Sequence, residues 1–444
     1  MTGLAPPPNP GPAAWNEILP TPPPPMRLAG EISTDWLIIG AGFAGLAAAR
    51  RLSLTRPGDR ITVLEALRIG EGPAGRNSGF MIDLPHNIAS ENYSGAEASD
   101  RAAIAANRRA IAFALETAAA FGLPREAIAQ IGKINAAASP RGLAHNTAFA
   151  KHLSRLGEDH EMYDAARMRA ITGTEYYLGG LYTPHAVMLQ PAMYIRGLAN
   201  GLRSNRVTVA EESPVTALTR NGALWRAETP QGSVTAPKVI LAVNGMIARF
   251  GHFRQHLAHV LTYASMTRPL TAEEVARLGG DPNWSATPAD PLGTTVRRIS
   301  GTGGDRIVVR NRFDYASDLE TPDGWQAGAA AMHDAAFKRR FPMLEGVEMA
   351  YRWGGRLCLS RNDAPAFGEV DRGLYAACCQ NGLGASRGTL SGIAAADLAA
   401  GENSPEAAFH AGLQAPSRLP PKPIARIGAT AKIRWGEWRA GREC

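Results

Sequence analysis

The feature that most constrains this chain is a glycine turn held between two short apolar runs. Thr34-Asp35-Trp36-Leu37-Ile38-Ile39 ends in Gly40-Ala41-Gly42-Phe43-Ala44-Gly45, and Leu46 to Leu54, rich in Ala, Leu and Arg, has helical character. Pro57-Gly58-Asp59 then turns the chain into Ile61-Thr62-Val63-Leu64, a second run apolar enough for a buried parallel strand. The unit is strand, helix, strand, and Glu65 stands 20 residues after Gly45, at the end of the second strand. Each residue type has a reason. The first glycine permits the tight turn, the second lets the backbone approach a pyrophosphate, and the third lets the helix pack on the strand. Helix-terminal amides then face the anion, and an acid at position 65 accepts from a ribose hydroxyl. The pattern predicts a dinucleotide site, with FAD and NAD both open at this point.

At 444 residues and 47.1 kDa the chain has room for two or three domains of about 100–200 residues each. Core-like runs recur far downstream, at Val239-Ile240-Leu241-Ala242-Val243 and Leu374-Tyr375-Ala376-Ala377-Cys378-Cys379, so the dinucleotide domain is expected to be built from separated segments. Ser99 to Phe121 reads as a helix behind a Ser cap, 140–170 and 191–204 also read as helical, and from Val207 onward strand patterns dominate. Among them are 257–270, 294–299 and 306–312. A helix of small residues is expected over Thr389 to Ala400. Ten of the 32 prolines fall within residues 1–25, where fixed φ and missing donors favour an extended arm, pinned by Ala13-Ala14-Trp15 and Ile18-Leu19 or left as a disordered leader.

The longest run without a charged or strongly polar residue, Trp36 to Ala49, has 14 residues and three glycines, short of the roughly 20 a spanning helix needs. The first 25 residues carry neither a basic nor an apolar signal region, so the expected compartment is the cytoplasm. Four cysteines, Cys358, Cys378, Cys379 and Cys444, have no metal-ligand spacing and are expected as reduced thiols. The formal charge is +7, which by itself fits a nucleic acid, an anionic membrane surface or an acidic substrate. Residues 416–444 hold seven basic and two acidic residues, +5 of that total, interleaved with Trp435 and Trp438. A nearly neutral body argues against nucleic acid as the partner and leaves a basic tail that packs on the body or on a second subunit.

Several stretches resemble one family in the order that family has them. Glu65-Ala66-Leu67-Arg68-Ile69-Gly70-Glu71-Gly72-Pro73-Ala74-Gly75-Arg76-Asn77-Ser78-Gly79 is similar to the segment after the second strand in the D-amino-acid-oxidase-like (DAO) FAD oxidoreductases, most of all the gamma-glutamylputrescine oxidase branch. Leu189-Gln190-Pro191 with Tyr194, Ser213-Pro214-Val215, and the run Val239 to Gly245 continue the resemblance. Trp353-Gly354-Gly355, Asp363 to Gly368, and Asn381-Gly382-Leu383-Gly384 complete it.

The resemblance implies an α/β (overall α+β) protein: a Rossmann-like FAD-binding domain of discontinuous segments and a substrate domain with a mainly antiparallel sheet. The expected segments are an arm at 1–30, FAD-binding parts at 31–100, 190–250 and 350–415, substrate parts at 101–189 and 251–349, and the tail at 416–444. It implies FAD at Gly40, Gly42, Phe43, Ala44, Gly45, Glu65 and Ala66. Gly75, Arg76, Asn77, Ser78 and Gly79 would approach the flavin, and Val215 the adenine end. Ala242, Asn244, Gly245, Gly355, Arg356, Gly382, Leu383, Gly384 and Ala385 would complete the site. No metal is implied. This chain departs from its relatives in having no histidine in the loop 381–384 and no lysine in 239–337, and Cys358 has a different spacing from the cysteine some relatives use to attach flavin. FAD is therefore expected to be non-covalent.

The activity implied is oxidation of a C–N bond of an amine or amino-acid derivative to an imine by hydride transfer to flavin N5, then hydrolysis, with O2 (giving H2O2) or another acceptor reoxidising the flavin. A substrate carboxylate would call for an arginine. Arg76, Arg298, Arg310, Arg312 and Arg356 are candidates, with Arg312, near Tyr315, preferred. His86 and Tyr263 are the remaining catalytic candidates, His86 as a group that tunes amine protonation and Tyr263 as a wall of the cavity. A flavin monooxygenase, an FAD-dependent tRNA-modification enzyme and an FAD protein without turnover are the alternatives.

Overall fold

Strands that are apolar along their whole length need cover on both faces, and in the computed structural model, which describes residues 4–85 and 95–444, one six-stranded sheet gathers them. Its order is Val207–Ala210, Ile61–Leu64, Trp36–Ile39, Lys238–Leu241, Leu374–Cys378, Ala366–Asp371. All neighbours are parallel except the last pair. Side chains alternate across the sheet. Trp36 and Ile38 therefore meet the helices Phe43–Thr55 and Gly384–Ala400, while Leu37 and Ile39 meet a four-stranded sheet through Trp225, Ala227, Val234 and Ala236. That smaller sheet runs Gly30–Ser33, Gly232–Ala236, Leu224–Thr229, Ala217–Asn221.

A second large sheet has eight strands, in the order Met349–Ser360, Leu257–Thr267, Arg306–Tyr315, Thr295–Ile299, Trp284–Pro288, Lys133–Ala137, Gly179–Thr183, Glu161–Asp164. It is antiparallel except where Trp284–Pro288 meets Lys133–Ala137. One face is apolar: Ile134, Ala286, Val296, Ile307 and Val309 pack with Met168 of helix Ala165–Thr172 and Phe337 of helix Trp325–Arg340. The residues beside them in sequence, Thr287, Thr295 and Arg310, point the other way and line a cavity between the two sheets.

Two sequence expectations change. The helix expected behind Ser99 begins at Glu97, because Asp100 accepts the N–H of Gly95 (2.8 Å) and organises the first turn from inside it. The helix expected over 140–170 breaks after Leu156, where Gly157 takes a left-handed φ of 75°, and continues as a strand and a second helix. The strand Met349–Ser360 pairs along its length with Leu257–Thr267 and so belongs to the eight-stranded sheet. The basic tail forms helix Lys422–Ala440, and beyond it Glu443 is buried, accepting from Ala138 N–H and Ser139 Oγ, both at 2.8 Å.

The proline arm lies packed against the body. Trp15 is fully buried, edge-on to Trp353 with ring centroids 6.3 Å apart, and donates from Nε1 to the Asn77 carbonyl at 2.9 Å. Ala13, Ala14 and Ile18 share its apolar cluster with Ala264 and Met266 of the eight-stranded sheet.

Candidate functional site

The cavity between the sheets, about 340 Å³, runs from the glycine turn to the polar face of the eight-stranded sheet. At its first end only glycine fits. Gly40 has φ 103°, a Cβ there would meet the Ala242 carbonyl oxygen at 2.5 Å, and a Cβ on Gly45 would lie 1.8 Å from the Gly40 carbonyl oxygen. Helix Phe43–Thr55 starts at Gly42 with no side-chain cap and no acid in its first turn, so its positive end faces the cavity without an internal counter-charge. Glu65, at the end of the second strand, accepts the N–H groups of Ala41 (2.8 Å) and Leu67 (3.1 Å). Burial pushes its carboxyl up, and those backbone donors oppose the shift.

Most of the residues expected around a cofactor line this one cavity: Gly40, Gly42, Phe43, Ala44, Glu65, Ala66, Arg76, Asn77, Ser78, Val215, Ala242, Asn244, Gly245, Gly355, Arg356, Gly382, Leu383, Gly384 and Ala385. Gly45, Gly75 and Gly79 do not. They stand behind the wall, where a Cβ would strike the carbonyl oxygens of Gly40, Gly70 and Leu189 respectively, so they permit the turns rather than touch a ligand. The two arginines of that set have prior engagements. Arg76 donates to the carbonyls of Pro10 (2.7 Å), Gly11 (2.6 Å) and Gly354 (2.8 Å), and Arg356 to Pro8 (2.7 Å), Asn9 (3.0 Å) and Leu319 (2.9 Å). Their side chains clamp the N-terminal arm onto the cavity rim. Burial, helped by the nearby Arg356 charge, brings Arg76 down to about 10.

At the other end Thr262, Thr287, Thr295 and Arg310 converge from four neighbouring strands, with Tyr263 beside them. Tyr263 is fully buried and stacks on Trp325 with centroids 5.2 Å apart at 12°. Burial holds its phenol far above the ordinary value, and the Asp314 carboxylate adds to that. Arg310 lies with its guanidinium 4.8 Å from the Phe313 ring.

Arg312, the preferred arginine of the sequence reading, does not line the cavity. Thr262 pairs with Phe313 and Tyr263 with Asn311, so Arg312 is the extra residue of a β-bulge, at φ 57°. Its guanidinium packs over Gly328 of helix Trp325–Arg340 and lies 3.4 Å from Asp314. His86 lies outside the described residues.

Sequence reasoning missed the threonines and a buried lysine behind them. Lys133 donates to Asn135 Oδ1 and to Thr287 Oγ1, the latter at 3.4 Å, and burial brings its ammonium down to about 8. Ser285 and Thr287 alternating with Trp284 and Ala286 were the available signal for Thr287; Thr295 and Lys133 gave none. Cys358 also lines the cavity, and contact with Cys379 together with burial keeps its thiol protonated.

Residues 35–398 match the profile of the family described as DAO, FAD dependent oxidoreductase, more than four-fifths of the chain. The chain belongs to that family. It is thus an FAD-dependent oxidoreductase, and the glycine turn, the uncapped helix and Glu65 fit the cofactor on geometric grounds of their own. A probable oxidoreductase OrdL of Haemophilus influenzae is 26% identical over 402 residues, covering 86% of each chain. The gamma-glutamylputrescine oxidoreductase of Escherichia coli is 26% identical over 392 residues, covering 84% of this chain and 85% of that one. Among solved structures, glycine oxidase from Geobacillus kaustophilus superposes with a TM-score of 0.69 at 17% identity, over 88% of this chain and all of the other. That likeness shows that the DAO-family fold is shared.

Proposed function

We propose that this chain oxidises the C–N bond of an amine or amino-acid derivative bearing a carboxylate, giving an imine that water hydrolyses to a carbonyl compound and an amine or ammonia. The observation that carries the reading is the charge of the cavity wall at the eight-stranded sheet. Arg310 stands on that wall, and Glu65, at the opposite end, is the one carboxylate among the described lining residues. An anion is therefore favoured near Arg310, and a guanidinium can hold a carboxylate through two parallel hydrogen bonds. Names of relatives, gamma-glutamylputrescine oxidoreductase and glycine oxidase, agree with an amine or amino-acid substrate.

FAD, when bound, supplies the two-electron acceptor for the C–H bond next to nitrogen. Gly40, Gly42 and the first amides of helix Phe43–Thr55 would hold its pyrophosphate, Glu65 a ribose hydroxyl, and the 76–78, 355–356 and 382–385 backbones its ring system. Thr262, Thr287 and Thr295 offer hydroxyls to a substrate nitrogen or water, and Tyr263 with Trp325 closes the wall against solvent. Holding the substrate in one orientation is itself worth several orders of magnitude in rate. The protonated Cys358 thiol supports non-covalent FAD. O2 is one acceptor for reoxidation, and the cytoplasm, where four free thiols persist, is the compartment we assign. The FAD-binding part comprises 31–100, 190–250 and 361–415, and the substrate part 101–189 and 251–360.

The test is an amine and amino-acid panel offered without oxygen to the purified flavoprotein. Bleaching of the visible flavin absorption by carboxylate-bearing amines supports the reading. Flavin that no amine reduces would leave an FAD protein without this activity and overturn it.

A further inference from the structure

Helix Lys422–Ala440 uses only one of its faces to hold the body. Glu437 accepts the N–H of Phe313 at 2.9 Å, Arg434 pairs with Asp314, Lys422 pairs with Asp318 at 2.8 Å, and Ala440 is buried. On the opposite face Ile424, Ile427, Trp435 and Trp438 are 61%, 72%, 56% and 78% exposed. Their spacing, i, i+3, i+11 and i+14, with Ala431 between, makes a single stripe along the helix, about 21 Å long at 1.5 Å per residue. At 100° per residue, Lys432 and Arg439 flank the stripe on one side and Arg434 on the other. The Arg439 guanidinium lies 5.0 Å from the Trp435 ring.

We propose that this stripe is a docking surface for an anionic lipid bilayer, with the helix lying in the plane of the interface. Two observations choose that occupant. Lys432 and Arg439 border the stripe on its exposed side, so a second copy of the same face would bring like charges together, whereas an anionic surface complements them. Two tryptophans and two isoleucines held in water beside those cations suit the boundary between headgroups and acyl chains, where an indole keeps its ring in the apolar layer and its N–H wet. A polyanion such as a nucleic acid would match the charge and leave the isoleucines exposed. No helix among the described residues is long and apolar enough to cross a membrane, so the contact is peripheral.

The test uses the FAD-loaded full-length protein and two kinds of vesicle, phosphatidylcholine alone and phosphatidylcholine mixed with phosphatidylglycerol. Co-sedimentation and the fluorescence of Trp435 and Trp438 report binding. The protein is expected to bind the mixed vesicles and not the neutral ones, with a blue-shifted emission and an affinity that falls as salt is added. Trp435→Ser with Trp438→Ser should weaken binding at least about tenfold while flavin content and thermal stability stay unchanged. Lys432→Gln with Arg439→Gln should weaken it as well. Absence of binding to mixed vesicles, or unaltered binding by the tryptophan variant, overturns the proposal. A solution dimer that the tryptophan variant dissociates assigns the face to a second copy instead, and salt-sensitive retention on nucleic acid without vesicle binding assigns it to a polyanion. None of these outcomes depends on the amine reading.

Discussion

Replacing Trp15 by Ala tests whether the N-terminal arm is part of the cofactor site. The indole is fully buried against Trp353 and Ala264, and its Nε1 holds the carbonyl of Asn77 at 2.9 Å. Removing a buried Trp side chain costs about 3–5 kcal/mol in lost transfer and residual cavity, and the orphaned Asn77 carbonyl adds about 1 kcal/mol. The arm has fixed partners besides the indole: Pro10 accepts from Arg76 (2.7 Å) and from the Gly354 N–H (2.9 Å). Trp15→Ala is therefore expected to lower unfolding free energy by about 4–6 kcal/mol and to weaken FAD binding, because Arg76, Asn77 and Gly354 lose their support together. Trp15→Phe keeps most of the packing and loses the hydrogen bond, for a cost of about 1–2 kcal/mol. Urea unfolding of the FAD-loaded protein and flavin titration of the apoprotein read the two effects. A loss below about 1 kcal/mol in Trp15→Ala, with unaltered FAD affinity, would refute the reasoning and make the arm an ornament.

Other perturbations act at separate points. Gly45→Ala puts a Cβ 1.8 Å from the Gly40 carbonyl oxygen, so the turn must open and the protein should purify without flavin; stoichiometric FAD in that variant would contradict the assigned cradle. Arg310→Met should lower kcat/KM for a carboxylate-bearing amine roughly 10- to 150-fold, the equivalent of one charged hydrogen-bonded contact, and leave the decarboxylated analogue nearly unaffected. Equal losses for both substrates would remove Arg310 from carboxylate binding. Burial brings His259 and His410 down to about 4 and His333 to about 3, so the unfolded chain binds more protons than the native one between about pH 6.5 and those values. Stability should then fall on acidification through that window, measured as a falling urea midpoint, and His333→Asn should flatten the slope.

How much was legible in the sequence depends on what carried the information. The strands 36–39, 61–64, 238–241 and 374–378 are covered on both faces, so their apolar runs show through any single-sequence reading. The glycine turn is similarly local, since its constraint lies in backbone space. Arg312 was misplaced because the bulge that ejects it is a property of strand pairing: Arg310 and Arg312 are two residues apart and would share a face in a regular strand. The guanidinium groups of Arg76 and Arg356 stood among the candidates for a substrate carboxylate because nothing local shows that Pro8, Pro10 and Gly11 of the arm take them. Lys133 gives no signal at all; its burial follows from the register that sets Asn135 opposite Thr287. In the same way the stripe of Ile424 to Trp438 reads as an ordinary amphipathic face until the body is seen to hold the opposite one.

The central claim is that FAD in this cavity takes electrons from an amine whose carboxylate is held by Arg310. Anaerobic mixing of the FAD-loaded protein with a panel of carboxylate-bearing amines, followed by denaturation to release the flavin, tests it most directly. The account predicts bleaching of the visible flavin absorption by at least one such amine, a carbonyl product after quenching, and FAD that leaves the denatured chain freely. A purified protein that neither contains nor takes up FAD, or one whose flavin stays oxidised with every amine offered, would contradict it.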